Sequence, residues 1–535
     1  MGVHLQEDKL VVAFDYDPQL IYEIKQIVGR KWNPLFKYWE IPYTTNNLYK
    51  LQVLGFDISC VLLEVRNQAR EVLQANILLT KYIKEKYSFL YDYQITCAVR
   101  GIMQKKLLVT DECGLGKTLE TFAIADYFLR QGSVERVCVC CPSSIKWQWQ
   151  REIKKWFNRD AVIIKGYPEE RKFLYEKKPQ VFIINYEQIL RDFWDIYNLT
   201  KWQIILLDEM TYLKNPKAKR TKYVQQLSPS LLYGLTGTPI ENKLEDAFTL
   251  GNIIQPGWMS KADFYTKYCN FGMQFGFKIL LNYKNVDDFM KNFLTIAIRR
   301  KRQDVAHFPP KVIYDRLIDL TPYQLEVRAQ IEKAIEKDYY NNTGTAIQKF
   351  TLLQMVEDST DLIKLSNAKS LVNIEVTKSE SAKLSDLQHI IDELDGGKVV
   401  IFTKYRKMTP FIAQQLGKDV IIGSGKTKNK EEIITKFRDE FKFLVATDAF
   451  NYGVDMPFVS TIINFDMTWN PARLSQRIDR CYRVTSKEQL KVFNMVANGF
   501  EQYIFETMKA KEKLGEVFDL HRALNTYLQK YILQH

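Results

Sequence analysis

Eight consecutive residues constrain this chain more than any other stretch: Asp111-Glu112-Cys113-Gly114-Leu115-Gly116-Lys117-Thr118. The apolar run Leu107-Leu108-Val109 precedes them, and Leu119, Phe122, Ala123, Ile124 and Ala125 follow with helical spacing, which predicts strand, glycine-rich turn and helix in succession. In that setting Gly114 and Gly116 let backbone N–H groups approach a phosphate at a helix N-terminus. Lys117 reaches the β- and γ-phosphates, and the Thr118 hydroxyl takes a place on Mg²⁺. Asp111 stands where the strict phosphate-loop pattern has glycine, so a plain turn between a buried strand and a helix is the competing reading.

A chain of 535 residues exceeds one hydrophobic core and predicts roughly three or four units. Its net charge of +13 favours a polyanionic partner, nucleic acid ahead of a membrane surface. No apolar run reaches the length of a spanning helix. The N-terminus has neither a basic start nor an apolar signal core, so the chain is expected in the compartment where it is made: cytoplasmic in a bacterial or viral setting, nuclear in a eukaryote. Eight scattered cysteines argue against a disulfide framework. Cys138, Cys140 and Cys141 lie in the run Val137 to Cys141, which reads as a buried strand, and the five histidines are isolated, which speaks against a zinc enzyme.

Residues 1–65 read as a small α+β unit. Lys9 to Tyr16 is a strand, Leu20, Ile21, Ile24, Ile27 and Val28 recur at helical spacing, and Lys37 to Ile41 is a second strand. The turn between them, Gly29 to Pro34, contains Arg30, Lys31 and Trp32. It can touch phosphates and stack on bases, or Trp32 and Trp39 are core residues and the charges merely solvated. Residues 66–86 read as a helical linker. From Leu90 strands alternate with helices: Arg136 to Cys141, Gln180 to Asn185, Gln203 to Leu207 and Leu231 to Leu235 are apolar strands, an alternation that predicts a helix-covered parallel sheet over 87–255. Ile204 to Leu207 ends in Asp208-Glu209, two carboxylates at a C-terminal strand edge, where Asp208 can hold Mg²⁺ and Glu209 can orient or deprotonate water. Residues 256–375 break the rhythm and include Arg299-Arg300-Lys301-Arg302, an insertion, a DNA-facing hinge or a solvated face. A second alternation occupies 376–500, with strands at Lys398 to Phe402, Phe443 to Ala446 and Thr461 to Phe465, and closing helices take 501–535. Two α/β lobes with one phosphate loop suggest nucleotide in the cleft between them.

These residues together resemble the superfamily-two helicase-like ATPases, most closely the Swi/Snf-type double-stranded-DNA translocases. Tyr93-Gln94 resembles the glutamine motif that reads adenine, and Asp111 to Thr118 resembles motif I with Cys113 in place of Met. Pro142 with Trp147 and Glu152 resembles motif Ia and its downstream extension, Asp208-Glu209 motif II, and Leu235 to Asn242 motif III. Arg299-Arg300 through Lys311 resembles the family's R-R-x-K-x-x-V segment, Ala446 to Met456 motif V, and Gln476 to Arg483 motif VI. The resemblance implies two tandem RecA-like lobes with helical insertions, using ATP and Mg²⁺. It implies that Gln94, Gly114, Gly116, Lys117 and Thr118 bind the nucleotide and that Arg480 and Arg483 act as arginine fingers. Gln476 would sit near the γ-phosphate or its water, and Thr236 and Thr238 would link the nucleotide to the nucleic-acid path. Residues 1 to about 60 also resemble the HepA-related-protein domain of annealing helicases, which favours DNA contact by Arg30, Lys31 and Trp32.

Three departures bear on subclass. Motif II continues Met210-Thr211 where the family has His fourth, motif V reads Gly453-Val454-Asp455-Met456, and motif VI continues Val484-Thr485-Ser486. The resulting expectation is a monomeric ATP-dependent translocase remodelling forked or branched DNA, alongside replication or recombination proteins and away from membranes. A strand-separating DNA or RNA helicase, the motor arm of a nuclease complex and a non-hydrolysing scaffold are the alternatives.

Overall fold

The computed structural model describes residues 2–532 apart from 7, 202, 228, 241–242, 275–276, 306–308, 341–345, 367–371, 373, 395, 425–429, 452–454, 470, 484–485, 487 and 514–519. The chain divides into two compact units, Met1–Ser88 and Phe89–His535.

In the first unit β1 (Val3–Gln6), β2 (Lys9–Val12), β3 (Lys31–Asn33) and β4 (Tyr38–Pro42) form an antiparallel sheet in the order β1-β2-β4-β3. Alternation sets its faces: Leu10 and Val12 point into the core with Val3, Ile24 and Ile41, while Lys9 pairs with Glu40 outside. The helix Pro18–Lys25 starts where Asp17 Oδ1 accepts from the N–H groups of Gln19 and Leu20 at 2.8 and 3.2 Å. Part of the stretch read as a turn is therefore a strand, β3, drawn into pairing by β4. Trp39 packs on the core. Trp32, its cross-strand partner at a ring distance of 5.1 Å, is 47% exposed. Helix Ser59–Lys86 closes this unit.

The second unit holds two parallel sheets. The first contains β5 (Lys106–Val109), β6 (Val137–Cys140), β7 (Val162–Ile163), β8 (Val181–Ile184), β9 (Ile204–Leu207) and β10 (Leu231–Leu235). An antiparallel hairpin of β11 (Cys269–Gln274) and β12 (Phe277–Tyr283) follows before β13 (Ala297–Ile298) completes the sheet in the order β13-β5-β10-β9-β6-β8-β7. Its central strands are buried along their whole length, which is why they read as unbroken apolar runs. Cys138 and Cys140 are core residues of β6, as their setting predicted.

The second sheet is built from β14 (Lys311–Ile318), β15 (Lys398–Thr403), β16 (Val420–Gly423), β17 (Phe443–Thr447), β18 (Val459–Asn464) and β19 (Leu490–Ala497). Its order is β14-β19-β18-β15-β17-β16. Its edge strand β14 comes from inside the stretch 256–375 that was read as an insertion. One face of β14, with Lys311, Ile313, Asp315 and Leu317, is exposed, and Asp315 and Arg316 interrupt its apolar residues, so it lacks a continuous apolar run. Helices Pro322–Tyr340, Ala346–Asp358, Phe500–Lys513 and Leu520–Tyr527 share a separate core through Ile331, Leu353, Ile504 and Leu524. The architecture is α/β, two tandem RecA-like lobes with helical additions and a small α+β unit before them. Three neighbouring strands of the first sheet, β5, β10 and β9, run in register and deliver Asp111, Thr236 and Asp208 to one C-terminal edge.

Candidate active site

A cavity of about 1010 Å³ opens at that edge, lined by residues of both lobes. On the first lobe, Gly114 and Gly116 adopt φ of +88° and +78°, left-handed values that glycine tolerates without strain. Gly116 caps helix Lys117–Arg130, so the loop's N–H groups and the helix N-terminus face the cavity together. Gln94 Nε2 and the Tyr93 hydroxyl each donate to Leu115 O at 2.9 Å, and Gln94 Oε1 accepts from Tyr91 N at 3.0 Å. The glutamine is thus fastened to the loop's backbone, close enough that a Cβ on Gly116 would lie 2.3 Å from Nε2. Lys117 Nζ donates to Asp111 O and Glu112 O at 2.8 and 3.2 Å, which holds the ammonium at the loop's mouth.

The departure at Asp111 has a structural reason. Its buried carboxylate accepts from Arg300 N at 2.9 Å and Arg300 Nε at 2.8 Å, and the same guanidinium reaches Glu120 at 2.8 Å. Burial pushes the Glu120 carboxyl up, with Arg300 opposing it. The basic run Arg299 to Arg302 is therefore not one exposed surface. Arg299 and Lys301 face solvent, while Arg300 and Arg302 turn inward as ion-pair residues.

Asp208 and Glu209 enter the cavity from the end of β9. Burial raises the Asp208 pKa. Trp149 opposes this most, its indole N–H donating to Oδ2 at 2.7 Å, and Glu209 N donates to Oδ1 at 2.8 Å. Sequence reading placed the motif's tryptophan at Trp147, but Trp147 is 51% exposed whereas Trp149 is 1% exposed and reaches the site. The signal that separates them is helical periodicity: Ile145, Trp149, Ile153 and Phe157 share the buried face of the segment. Burial also pushes Glu152, on the cavity wall, up to about 6.

From the second lobe, Arg480 and Arg483 face the loop. Arg483 Cδ lies 3.3 Å from where a Cβ on Gly114 would stand. Between the two arginines sits Asp455, accepting from Arg480 at 3.4 Å and from Arg483. Burial raises the Asp455 pKa and the two guanidiniums pull it below its ordinary value. Asp455 was legible only as a motif V departure; its contact with both arginines was not.

Gln94, Gly114, Gly116, Lys117, Thr118, Asp208, Glu209, Arg480 and Arg483 thus line one cavity. Gln476 is not among its lining residues; it is 4% exposed on helix Pro471–Cys481, and its Oε1 has no hydrogen-bond partner among the described residues. Thr236 is buried behind the loop and accepts from Thr238 N at 3.2 Å. Between them Gly237 packs so closely that a Cβ would lie 2.4 Å from Cys113 Sγ. Arg30, Lys31 and Trp32 belong to the other compact unit. Glu241, Asn242, Gly453, Val454, Val484 and Thr485 lie outside the described residues. No helix among the described residues is long and apolar enough to cross a membrane.

Tandem parallel sheets sharing a phosphate loop, an Asp-Glu pair and two facing arginines define a helicase-like ATPase, the class of DNA-dependent ATPases. The chain belongs to the SNF2-related family: the SNF2-related domain matches residues 58–371, and the helicase conserved C-terminal domain matches 382–485. Among relatives, the uncharacterized ATP-dependent helicase YqhH of Bacillus subtilis is 25% identical over 445 residues, 77% of this chain and 76% of that protein. The ISWI chromatin-remodeling complex ATPase ISW1 of Saccharomyces cerevisiae is 26% identical over 447 residues, covering 77% of this chain but 38% of the yeast protein. The Sulfolobus solfataricus SWI2/SNF2 ATPase core in complex with dsDNA is 24% identical, covers 79% of this chain and 92% of that one, and superimposes with a TM-score of 0.38.

Proposed function

We propose that this chain is an ATP-driven translocase on duplex DNA that remodels forked or branched DNA by fork regression, branch migration or strand annealing. The observation that carries the reading is the meeting of Arg480 and Arg483 of one lobe with the phosphate loop of the other in a single cavity. Charge stabilisation by these arginines depends on lobe placement, so hydrolysis and lobe movement are coupled. Lys117 and the loop N–H groups bind phosphates, Gln94 contacts the base and Glu209 orients the attacking water; Gln476, whose Oε1 has no hydrogen-bond partner among the described residues, acts near the γ-phosphate or its water as the family resemblance implies. Thr236 and Thr238 pass the state of the loop to the DNA path.

The cavity fits a magnesium ion carried by the nucleotide. Asp208 is a partly buried carboxylate near Lys117 and Arg480, and Thr118 is the second residue of the helix that starts at Lys117. Mg²⁺ is bound through one or two carboxylates plus substrate phosphates, which Asp208 beside the phosphate loop would supply. When bound, the ion neutralises phosphate charge.

The first unit supports structure-specific DNA contact. Trp32 is half exposed beside Lys31, and Phe36 is 66% exposed and stacked on Tyr38. This fits the resemblance to the HepA-related-protein domain. The test is steady-state ATP hydrolysis with single-stranded, blunt duplex and forked DNA and with RNA at one stated salt concentration, repeated with Arg30, Lys31 and Trp32 changed together to Ala. Duplex or fork stimulation, with fork preference lost in the triple variant, is expected; stimulation only by single strands or RNA overturns the reading.

A further inference from the structure

Between β13 of the first sheet and β14 of the second, the chain crosses from lobe to lobe, and Arg302 lies in this crossing. Its backbone N–H donates to Glu112 Oε2 at 3.0 Å, within the phosphate loop. Its guanidinium pairs with Asp479, on the helix Pro471–Cys481 that also carries Arg480. Arg302 is 9% exposed and Asp479 5% exposed, so this contact is poorly screened by solvent. The guanidinium also lies 5.4 Å above the ring of Tyr482, the residue before Arg483, and the Tyr482 hydroxyl donates to Pro309 O at 3.0 Å in the same crossing.

We infer that Arg302 is a positioning residue for hydrolysis: by joining Glu112 of the phosphate loop to Asp479, it fixes the helix that carries Arg480 at the distance where Arg480 meets the γ-phosphate. Four contacts meet at this one crossing, from loop carboxylate to helix carboxylate, and each ties the crossing to a neighbour of a catalytic group. Arg302 itself does not line the cavity. Its effect falls on the placement of charge in the transition state, where a shift of about 1 Å costs on the order of 100-fold in rate. ATP affinity, set by the loop and Gln94 on the first lobe, is spared. The role rests on the proposed action of Arg480, which a separate variant tests.

The experiment measures DNA-stimulated kcat and the KM for ATP in Arg302→Ala, Arg302→Lys, Asp479→Asn, Arg480→Ala and the double variant Arg302→Ala with Arg480→Ala. The Arg302 backbone contact to Glu112 survives every substitution there, so the loop keeps that anchor. Arg302→Ala and Asp479→Asn are expected to lower kcat about 10-fold to 100-fold with KM within about two-fold, and Arg302→Lys to fall between these and the parent. The double variant should be no slower than Arg480→Ala alone, because a residue that acts through Arg480 has nothing left to position. If Arg302→Ala does not fold, Asp479→Asn and Arg302→Lys decide. Losses that multiply in the double variant, a KM increase matching the loss of kcat, or an unchanged kcat in Asp479→Asn each overturn the inference. An Arg480→Ala variant at full rate overturns instead the arginine-finger reading beneath it.

Discussion

Replacing Trp149 by Phe tests the electrostatics of the site most directly. Asp208 must be ionised to hold a cation, and burial already raises its pKa. The indole N–H at 2.7 Å from Oδ2 stabilises the anion and is the largest opposing influence. A hydrogen bond to a charged acceptor contributes about 1.5–3 kcal/mol. Its loss removes that stabilisation of the anion and raises the Asp208 pKa further. The variant therefore loses activity first at low pH, recovers toward alkaline pH, and its acid limb in kcat/KM moves to higher pH. The assay is steady-state ATP hydrolysis across a pH series at saturating DNA and fixed magnesium, with Trp147→Phe as the control on the exposed face of the segment. An acid limb that stays in place while the rate falls equally at every pH would refute the reasoning and leave Trp149 a packing residue.

Gly116→Ala places a Cβ 2.3 Å from Gln94 Nε2 at a φ of +78°, so it should displace the glutamine, destabilise the fold by about 1–2 kcal/mol in chemical denaturation and raise the KM for ATP. Arg300→Ala leaves buried Asp111 and Glu120 without their shared cation and should cost about 3–5 kcal/mol of stability, whereas Arg299→Ala, on the solvent side, should leave denaturation midpoints unchanged. Lys117→Ala removes a side chain bonded to two backbone carbonyls; it should abolish hydrolysis while the melting temperature stays within about 4 °C of the parent. If the first unit contacts phosphates through Arg30 and Lys31, changing both to Ala should shallow the log–log salt dependence of DNA binding by about 2.

What was legible in the chain was what local spacing encodes. The glycine-rich loop, the carboxylate pair after β9 and the central strands of both sheets are each set by residues within a few positions of one another. The short edge strands β7 and β13 fell below any periodic pattern, and β14, packed on one face only, looked like a polar insertion. Arg300 and Arg302 looked like a charge run because their acidic partners, Asp111 and Asp479, lie far away in the chain and only the folded topology brings them together. Trp149 is different, since helical periodicity on the segment distinguishes it from Trp147.

The pairing of β14 with β19 joins Lys311 to Leu490 and so spans some 180 residues of chain. On a ribosome adding about 5–20 residues per second, β14 waits roughly 10–35 s for its partner. The first sheet also closes late, when β13 pairs with β5, but its last strand ends at Ile298, well before β19 is made. A nascent chain therefore owns a finished phosphate loop well before Arg480 and Arg483 exist, and under the roles proposed here it can hold nucleotide before it can spend it. Order of synthesis alone separates binding from turnover, and until β19 is made, Val312, Ile313 and Leu317 of β14 lack their strand partner and offer a chaperone an edge to act on.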